Sequence, residues 1–440
     1  PATWLGWVKV LPDELVRARP VLSVGYAWML LDGGELEAAE ARLRDAEWWL
    51  DTTTDMNERP EAPAPEMVVV NEEEFQSLPA SIASARAYLA QALGDVPSTV
   101  TYARRALDLL PEGDYYERGI AAMFLGLAYW TSGDLEAAYQ SLADSVASLH
   151  MAGNIYFQIV GTVFLADIRV VQGRLQEAES TYEQALQLAA EQGEPVLQGT
   201  ADLYVGLSEL HRERGDLEAA REHLLRGKEL GEQAVSPGSE YRLCAAMARI
   251  KVAQGDLDGA LDLLHEAERL YKRDPIPDVR PVAALKTWVW VRQGRLTEAL
   301  GWARERGLSV DDELSYLGEF EHVILARVLI AEYKSDRAER SVLQAIGLLE
   351  RLLKAAEEGG RMGSVIDILV LRALAHQARG DIPPALVSLE RALTLAEPEG
   401  YVRIFADEGL PMEALLKKMR LEDGRPVLSE VEGMRKYVYK

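Results

Sequence analysis

Eight times along this chain a helix-length apolar segment ends at a glycine, and an aliphatic residue stands two positions later. Most successive glycines lie 39 to 42 residues apart, and two gaps are longer, at 60 and 86 residues. The glycines are Gly34, Gly94, Gly133, Gly173, Gly215, Gly255, Gly294 and Gly380. A period near 40 residues that persists over most of a chain is typical of a stacked helical repeat protein.

Small residues recur seven positions before each glycine, five after it and, except at Arg306, twelve after it. The residues five positions after are Ala39, Thr99, Ala138, Ala178, Ala220, Ala260, Ala299 and Ala385. Small side chains at these places let two antiparallel helices approach closely, and the glycine supplies the left-handed cap that ends the first helix. These offsets resemble the tetratricopeptide repeat. We predict an all-α, tetratricopeptide-like superhelical solenoid of about nine helix-pair repeats.

A ninth repeat fits the long gap before Gly380 if Tyr333 takes the place of the glycine, since Ala326 then stands seven residues earlier. Residues 334–340 would be extra residues before a helix over 341–358. We therefore expect one curved superhelix over residues 1–420, with helix pairs that turn at the eight glycines and at Tyr333. A polar tail or linker follows over residues 421–440.

Residues 51–79 depart from the repeat pattern because they are rich in proline and acidic residues and lack helical periodicity until their end. Such a segment buries little apolar surface. We predict an irregular, mobile insertion between two paired helices. A docking peptide for a partner is the alternative.

The net charge of −24 opposes binding to nucleic-acid backbones and to anionic membranes. No apolar run reaches the roughly 18 residues of a membrane span. The single cysteine, Cys244, cannot form an internal disulfide, which is typical of a reducing compartment. These features predict a cytoplasmic protein that binds neither nucleic acid directly nor membranes.

Motifs of common catalytic sites are absent from the sequence, which contains no GxxxxGK[ST] phosphate loop, no HExxH, no paired CxxC and no GxSxG. The histidines are scattered over different repeats without the spacing of metal ligands: His150, His211, His223, His265, His322 and His376. We expect no enzymatic activity, no cofactor and no metal site.

The first helices of tetratricopeptide repeats line a concave surface, and four positions before each glycine face it in that repeat pattern. In repeats five to eight these positions carry mixed charge and two aromatic side chains, namely Asp202, Glu209, Arg212, Arg242, Arg249, Trp288, Phe320 and Arg327. Arginines beside aromatics in a concavity can bind carboxylates, phosphates or sugar hydroxyls. The alternative is salt bridges between neighbouring repeats, from Asp202 and Glu209 to Arg242 and Arg249, and the same residues can do both.

Two terminal regions carry a more specific resemblance. Residues 6–43, and residues 379–419 with the phrases YVRIFADEG and PMEALL, look like the first and last repeats of the helical sensor domain in MalT-like, LuxR-type regulators. Residues 318–333 and 360–381 are also similar to that family. The resemblance covers roughly residues 4–419.

The resemblance implies a sensor that binds an inducer and stands between an N-terminal ATPase of the STAND class and a C-terminal helix-turn-helix. Neither ATP hydrolysis nor DNA binding is expected of this chain, because no phosphate loop precedes the repeats and the chain ends soon after residues 426–430. We therefore predict an inducer-sensing module whose partners are a small molecule or a protein or peptide, with other domains of the same regulator if the chain is a fragment. A scaffold that holds a peptide or partner helix in its groove is the alternative.

Overall fold

Helices are the only regular elements in the parts of the chain that the computed structural model describes, which are residues 6, 8–50, 66–193, 196–231, 234–236, 239–272 and 275–423. The described residues fall into two compact units. The first unit contains those up to Gly161 together with Lys272 and residues 275–277, and the second contains those from Thr162 to Tyr271 and from Asp278 onward.

A short helix, α1 (Asp13–Arg17), precedes nine helix pairs in the described residues. The pairs are α2 (Pro20–Asp32) with α3 (Leu36–Leu50), α4 (Glu72–Leu93) with α5 (Val96–Leu109), α6 (Tyr115–Ser132) with α7 (Leu135–Met151), α8 (Ile155–Val171) with α9 (Leu175–Glu191), α10 (Thr200–Glu213) with α11 (Leu217–Glu229), α12 (Glu240–Ala253) with α13 (Leu257–Leu270), α14 (Val282–Arg292) with α15 (Leu296–Glu305), α16 (Glu319–Asp336) with α17 (Glu339–Glu358), and α18 (Met362–Arg379) with α19 (Ile382–Ala396). A 3-10 turn (Glu397–Glu399) and the helices α20 (Arg403–Ala406) and α21 (Leu410–Asp423) follow. These pairs are repeats one to nine, and the tetratricopeptide-like all-α fold is confirmed.

All eight glycines of the repeat pattern have left-handed backbone, with φ between 74° and 93°. A residue without a Cβ adopts this conformation without steric cost, which is why the first helix of each pair ends there. In four repeats the next residue is an aspartate whose carboxylate accepts a hydrogen bond from the backbone N–H three residues on, at 3.0–3.1 Å. The Gly-Asp step thus ends one helix and caps the next.

The small residues lie where the helices touch. Ala138, Ala178, Ala220 and Ala260 are all completely buried, as the repeat register predicts. Gly126 shows how close the approach is, because a Cβ added there would lie 2.6 Å from the Leu142 side chain of the paired helix. Side chains of leucine and of aromatics fill the space between these contacts, as in the first unit, where Trp28 stacks on Phe124.

The prediction that the eighth pair turns at Tyr333 is wrong. Helix α16 continues past Tyr333 to Asp336, and α17 begins at Glu339. The turn is made by Arg337, which has φ 61° and is the one non-glycine residue with positive φ among the described residues. Without a glycine at position 333 nothing stops the helix there, so it continues for one more turn. The left-handed conformation then falls on a residue with a side chain.

Of the irregular insertion predicted over residues 51–79, residues 51–65 lie outside the described part of the chain. Its last part is helical, because α4 begins at Glu72. The Asn71 side chain accepts hydrogen bonds from the backbone N–H groups of Glu73 and Glu74 at 3.0 and 3.4 Å, and so caps that helix. Three successive glutamates in the first turn add a favourable interaction with the helix dipole. At the other end, the predicted tail over residues 421–440 lies outside the described residues after Asp423.

Candidate ligand cavity

A cavity of about 180 Å³ lies inside the second compact unit, bordered by residues of repeats four to nine. Six of the eight residues that the sequence predicts for a binding strip line it: Glu209, Arg212, Arg249, Trp288, Phe320 and Arg327. They come from the first helices of four successive repeats, α10, α12, α14 and α16. Stacking equivalent positions of the repeats has therefore brought them to one place.

Asp202 and Arg242, the other two predicted residues, do not line the cavity. Asp202 is 3% exposed and accepts a hydrogen bond from the backbone N–H of Ser236 at 2.9 Å. Arg242 donates to the carboxylate of Asp167 at 2.9 Å, and the Tyr182 hydroxyl donates to the same carboxylate. Burial raises the pKa of Asp202, which the charge of Arg242 partly offsets. Arg242 thus joins repeat six to repeat four, and Asp202 holds the connection that follows repeat five.

Inter-repeat salt bridges also occur in the cavity wall. Arg249 of repeat six forms an ion pair with Glu209 of repeat five, as the alternative interpretation of the strip expects. Arg212 is 3% exposed and lies 2.6 Å from Glu213 and 3.4 Å from Asp407, measured between guanidinium nitrogen and carboxylate oxygen. The wall of the cavity is thus a network of buried, mutually paired charges.

Residues 400–409, here called the return segment, close one side of the cavity. The segment leaves the last repeat at Gly400, which has φ 77°, and its backbone runs back to the end of α10. The backbone N–H of Val402 donates to the carbonyl oxygen of Glu213 at 2.9 Å, and that of Ile404 donates to the Glu213 carboxylate at 3.0 Å. The Arg403 guanidinium donates to the carbonyl oxygen of Ala253 at the end of α12.

The acidic end of the return segment reaches two arginines of the wall. Asp407 pairs with Arg212 and with Arg403, and Glu408 pairs with Arg327 of repeat eight. Arg327 also lies 2.8 Å from Asp367 of repeat nine. One short segment is therefore tied to repeats five, six and eight.

Repeats four and nine meet directly in this unit. The backbone N–H of Gln176 donates to the Glu399 carboxylate at 3.0 Å, and its side-chain amide donates to the carbonyl oxygen of Pro398 at 2.8 Å. A Cβ added to Gly173 would lie 2.9 Å from the Cβ of Met362. The glycine that ends α8 thus also makes room for the start of α18. This contact brings the first and last repeats of the unit to the same wall of the cavity.

Tyr401 and Arg280 are among the cavity residues that sequence reasoning missed. Tyr401 is 5% exposed, lines the cavity, and its hydroxyl has no hydrogen-bond partner among the described residues. Burial raises the pKa of this phenol, and the charge of Glu213 adds to the effect. The signal in the sequence was the phrase YVRIFADEG itself, whose first residue is Tyr401 and whose acidic pair is Asp407 and Glu408.

Arg280 is exposed at the cavity, on the proline-containing connection between repeats six and seven. No carboxylate of the described residues lies within 4 Å of its guanidinium. Its positive charge acts to lower the pKa of Tyr401 and of Arg249. Burial lowers the pKa of Arg249, and the nearby positive charge of Arg280 lowers it further. A repeat register assigns no position to Arg280, because the residue lies outside the paired helices.

Within the described parts of the chain, no three His, Cys, Asp or Glu side chains are grouped so that they could hold a metal ion. Over the same residues, none of the helices combines the length and the apolarity that crossing a membrane requires.

The model of a protein family described as the MalT-like TPR region matches residues 80–422. The chain belongs to this family. A separate tetratricopeptide-repeat model matches residues 20–45, so the repeat assignment also covers residues that precede the MalT-like match.

The curated relatives of this MalT-like region are regulators. This chain is 24% identical over 450 residues to the HTH-type transcriptional regulator MalT of Serratia proteamaculans, and the alignment covers 97% of this chain and 44% of that protein. The same regulator of Yersinia pestis is 24% identical over 438 residues, with 97% of this chain and 45% of the relative covered. The chain therefore spans about half the length of the curated relatives it matches, as a helical module of a regulatory family.

A Rap protein complexed with competence and sporulation factor has a similar solved structure, with a TM-score of 0.54 and 14% sequence identity. The alignment covers 88% of this chain and 99% of that chain. At this identity the likeness shows that the MalT-like region shares a repeat fold with that protein.

Proposed function

We propose that this MalT-like region is the inducer-sensing module of a transcription regulator, and that a small molecule binds in the cavity of the second compact unit. The observation that carries the proposal is the composition of that cavity. It combines two aromatic walls, Trp288 and Phe320, with two polar groups that have no partner among the described residues, the Tyr401 hydroxyl and the Arg280 guanidinium. Ligand sites are concave, with apolar and aromatic walls and a few convergent polar groups.

The cavity is also placed to convert binding into a change of conformation. Its wall is built from repeats four to nine and from the return segment, so one ligand would contact elements that are far apart in the chain. A ligand shifts a conformational equilibrium by the difference between its affinities for the two states. A small molecule that contacts several repeats at once can have such a difference, because small rotations between repeats alter all of its contacts.

The role proposed is binding and not catalysis. The acidic groups of the cavity are held in ion pairs with arginines, as Glu209 is with Arg249 and Glu408 is with Arg327. A carboxylate that is locked in such a pair is a poor general base, since the cation stabilises its ionised form. The pairs instead fix the shape of the cavity.

The test is thermal unfolding of the purified chain in the presence of a panel of metabolites, compared between the wild type and a variant whose cavity is filled. Ser364 lines the cavity at the start of α18. We expect at least one compound to raise the melting temperature of the wild type and to lose its effect on Ser364→Trp. A ligand at about 100 times its Kd stabilises the native state by roughly 2.7 kcal/mol. Ser180→Trp, at an exposed position in α9, should respond like the wild type.

Two results would contradict the proposal. If a compound stabilises wild type and Ser364→Trp equally, the ligand site is elsewhere. If no compound acts, but a protein partner is captured in equal amounts with both forms and with Trp288→Ala, the chain is a scaffold and the cavity is not its binding site.

A further inference from the structure

The carboxylates that line the cavity are already paired. Glu213 pairs with Arg212, Glu319 with Arg361, and Asp367 and Glu408 with Arg327. Glu209 pairs with Arg249, and Asp407 with Arg403 and Arg212. Each of these six carboxylates thus has an arginine within 4 Å.

The lining arginines are four in number, Arg212, Arg249, Arg280 and Arg327. Three of them take part in the pairs just described, and Arg280 alone has no carboxylate within 4 Å among the described residues. The cavity therefore contains one guanidinium, that of Arg280, that has no ion-pair partner among the described residues. Arg249 lines the same cavity and brings a second guanidinium to it, one that is already paired with Glu209.

The Tyr401 hydroxyl supplies a hydrogen-bond donor to the same cavity. Tyr401 is 5% exposed, and a Cβ added to Gly363, another lining residue, would lie 3.3 Å from the hydroxyl oxygen. A ligand that accepts a hydrogen bond from this hydroxyl would give it a partner.

We propose, on the basis of the function proposed above, that the ligand is an anionic small molecule whose carboxylate or phosphate group binds between Arg280, Arg249 and Tyr401. Charge-assisted hydrogen bonds from arginine to these groups are short and strong. The uncharged part of the ligand packs on Trp288 and Phe320. Trp288 offers it one face, since the guanidinium of Arg292 lies 5.5 Å from the ring centroid.

The probes are 3-phenylpropanoate, phenyl phosphate and the neutral 3-phenylpropanamide, titrated into the full chain by calorimetry. We expect one or both anions to bind at least tenfold more tightly than the amide, and the better of the two identifies carboxylate or phosphate as the group recognised. Arg280→Gln should weaken the anion by about 10- to 100-fold, the range that loss of a charged hydrogen bond corresponds to. Arg280→Lys should restore part of the affinity. Arg304→Gln, at an exposed position in α15, should bind like the wild type.

Equal affinity of wild type and Arg280→Gln for the anions would overturn the proposal, and so would an amide that binds as tightly as the anions or no binding by either anion. Binding of the amide alone, abolished by Ser364→Trp, would overturn the anionic class and leave the small-molecule cavity in place. The two proposals can therefore fail separately.

Discussion

Arg212 and Asp407 are 195 residues apart in the sequence and lie 3.4 Å from each other in the wall of the cavity. Arg212 belongs to the last turn of α10, and Asp407 ends the helix of the return segment. Both side chains are more than nine-tenths buried. The pair joins the segment that follows the last repeat to the end of α10.

Replacing Asp407 by Asn should destabilise the native state by about 3 kcal/mol, because removal of one partner leaves a buried charge uncompensated. Both Arg212 and Arg403 lose a carboxylate, and Arg212 retains Glu213. Urea unfolding measures the change. Asp262→Asn, at an exposed position of α13, is the matched control and should leave the midpoint unchanged. Equal midpoints for both variants would mean that the return segment does not stabilise the fold.

Replacing Ala178 by Leu should cost roughly 1–3 kcal/mol through overpacking. Ala178 is completely buried between the two helices of repeat four. Ala190→Leu tests the same substitution at an exposed position of the same helix and should have little effect. An unchanged melting curve for Ala178→Leu would contradict the helix contact.

Two helical glycines should respond to alanine in opposite directions. A Cβ at Gly206 would lie 2.3 Å from the Tyr182 ring, which is itself fully buried, so Gly206→Ala should cost about 1–3 kcal/mol. A Cβ at Gly301 meets no atom within 4 Å, so Gly301→Ala should stabilise by roughly 0.5–1 kcal/mol through helix propensity. Chemical denaturation of both variants checks the signs. A gain in stability at position 206 would contradict the packing of Tyr182.

Arg337→Gly should stabilise the protein by about 0.5–1 kcal/mol, because left-handed backbone costs a non-glycine residue roughly 1–2 kcal/mol. Loss of the Arg337 contact with the Tyr333 ring, at 5.7 Å from the centroid, reduces the gain. Arg221→Gly, inside helix α11, should instead cost about 1 kcal/mol. A loss of stability at position 337 would place the turn of the eighth repeat elsewhere.

The stability of the native state should fall as the pH is lowered through the ordinary histidine pKa of 6.5. Burial lowers the pKa of His223 and of His376, and the neighbouring His211 and Arg372 lower them further. Below 6.5 the unfolded chain therefore binds protons more readily than the native state, and stability decreases with falling pH. The double variant His223→Gln/His376→Gln should show a smaller decrease between about pH 7 and pH 5. His265→Gln, at an exposed position, should keep the wild-type slope.

Much of the fold follows from local sequence rules. In eight of the nine described repeats a glycine ends the first helix, because only a residue without a Cβ adopts positive φ freely, and in four of them the aspartate after it caps the next helix. Alanine at Ala138 or Ala178 is required because two helices meet there. These requirements involve neighbours in the sequence and repeat with the period, so they can be read without a structure. The turn of the eighth repeat was predicted at Tyr333 but lies at Arg337, because a repeat without its glycine carries no local signal for the end of its first helix.

The contents of the cavity depend on contacts that no local rule encodes. Stacking of repeats predicts that Glu209, Arg249 and Trp288 share a surface, since equivalent positions follow one another along the array. It does not predict that the return segment brings Tyr401 and Asp407 back to the end of α10, nor that Arg280 lies at the cavity from a connection outside the helices. The sequence by itself determined the helices, their caps and their pairing, because these arise from interactions between residues that are close along the chain. The tertiary structure alone decided which distant charges pair and which polar groups are left facing the cavity, because that depends on where repeat nine meets repeat four.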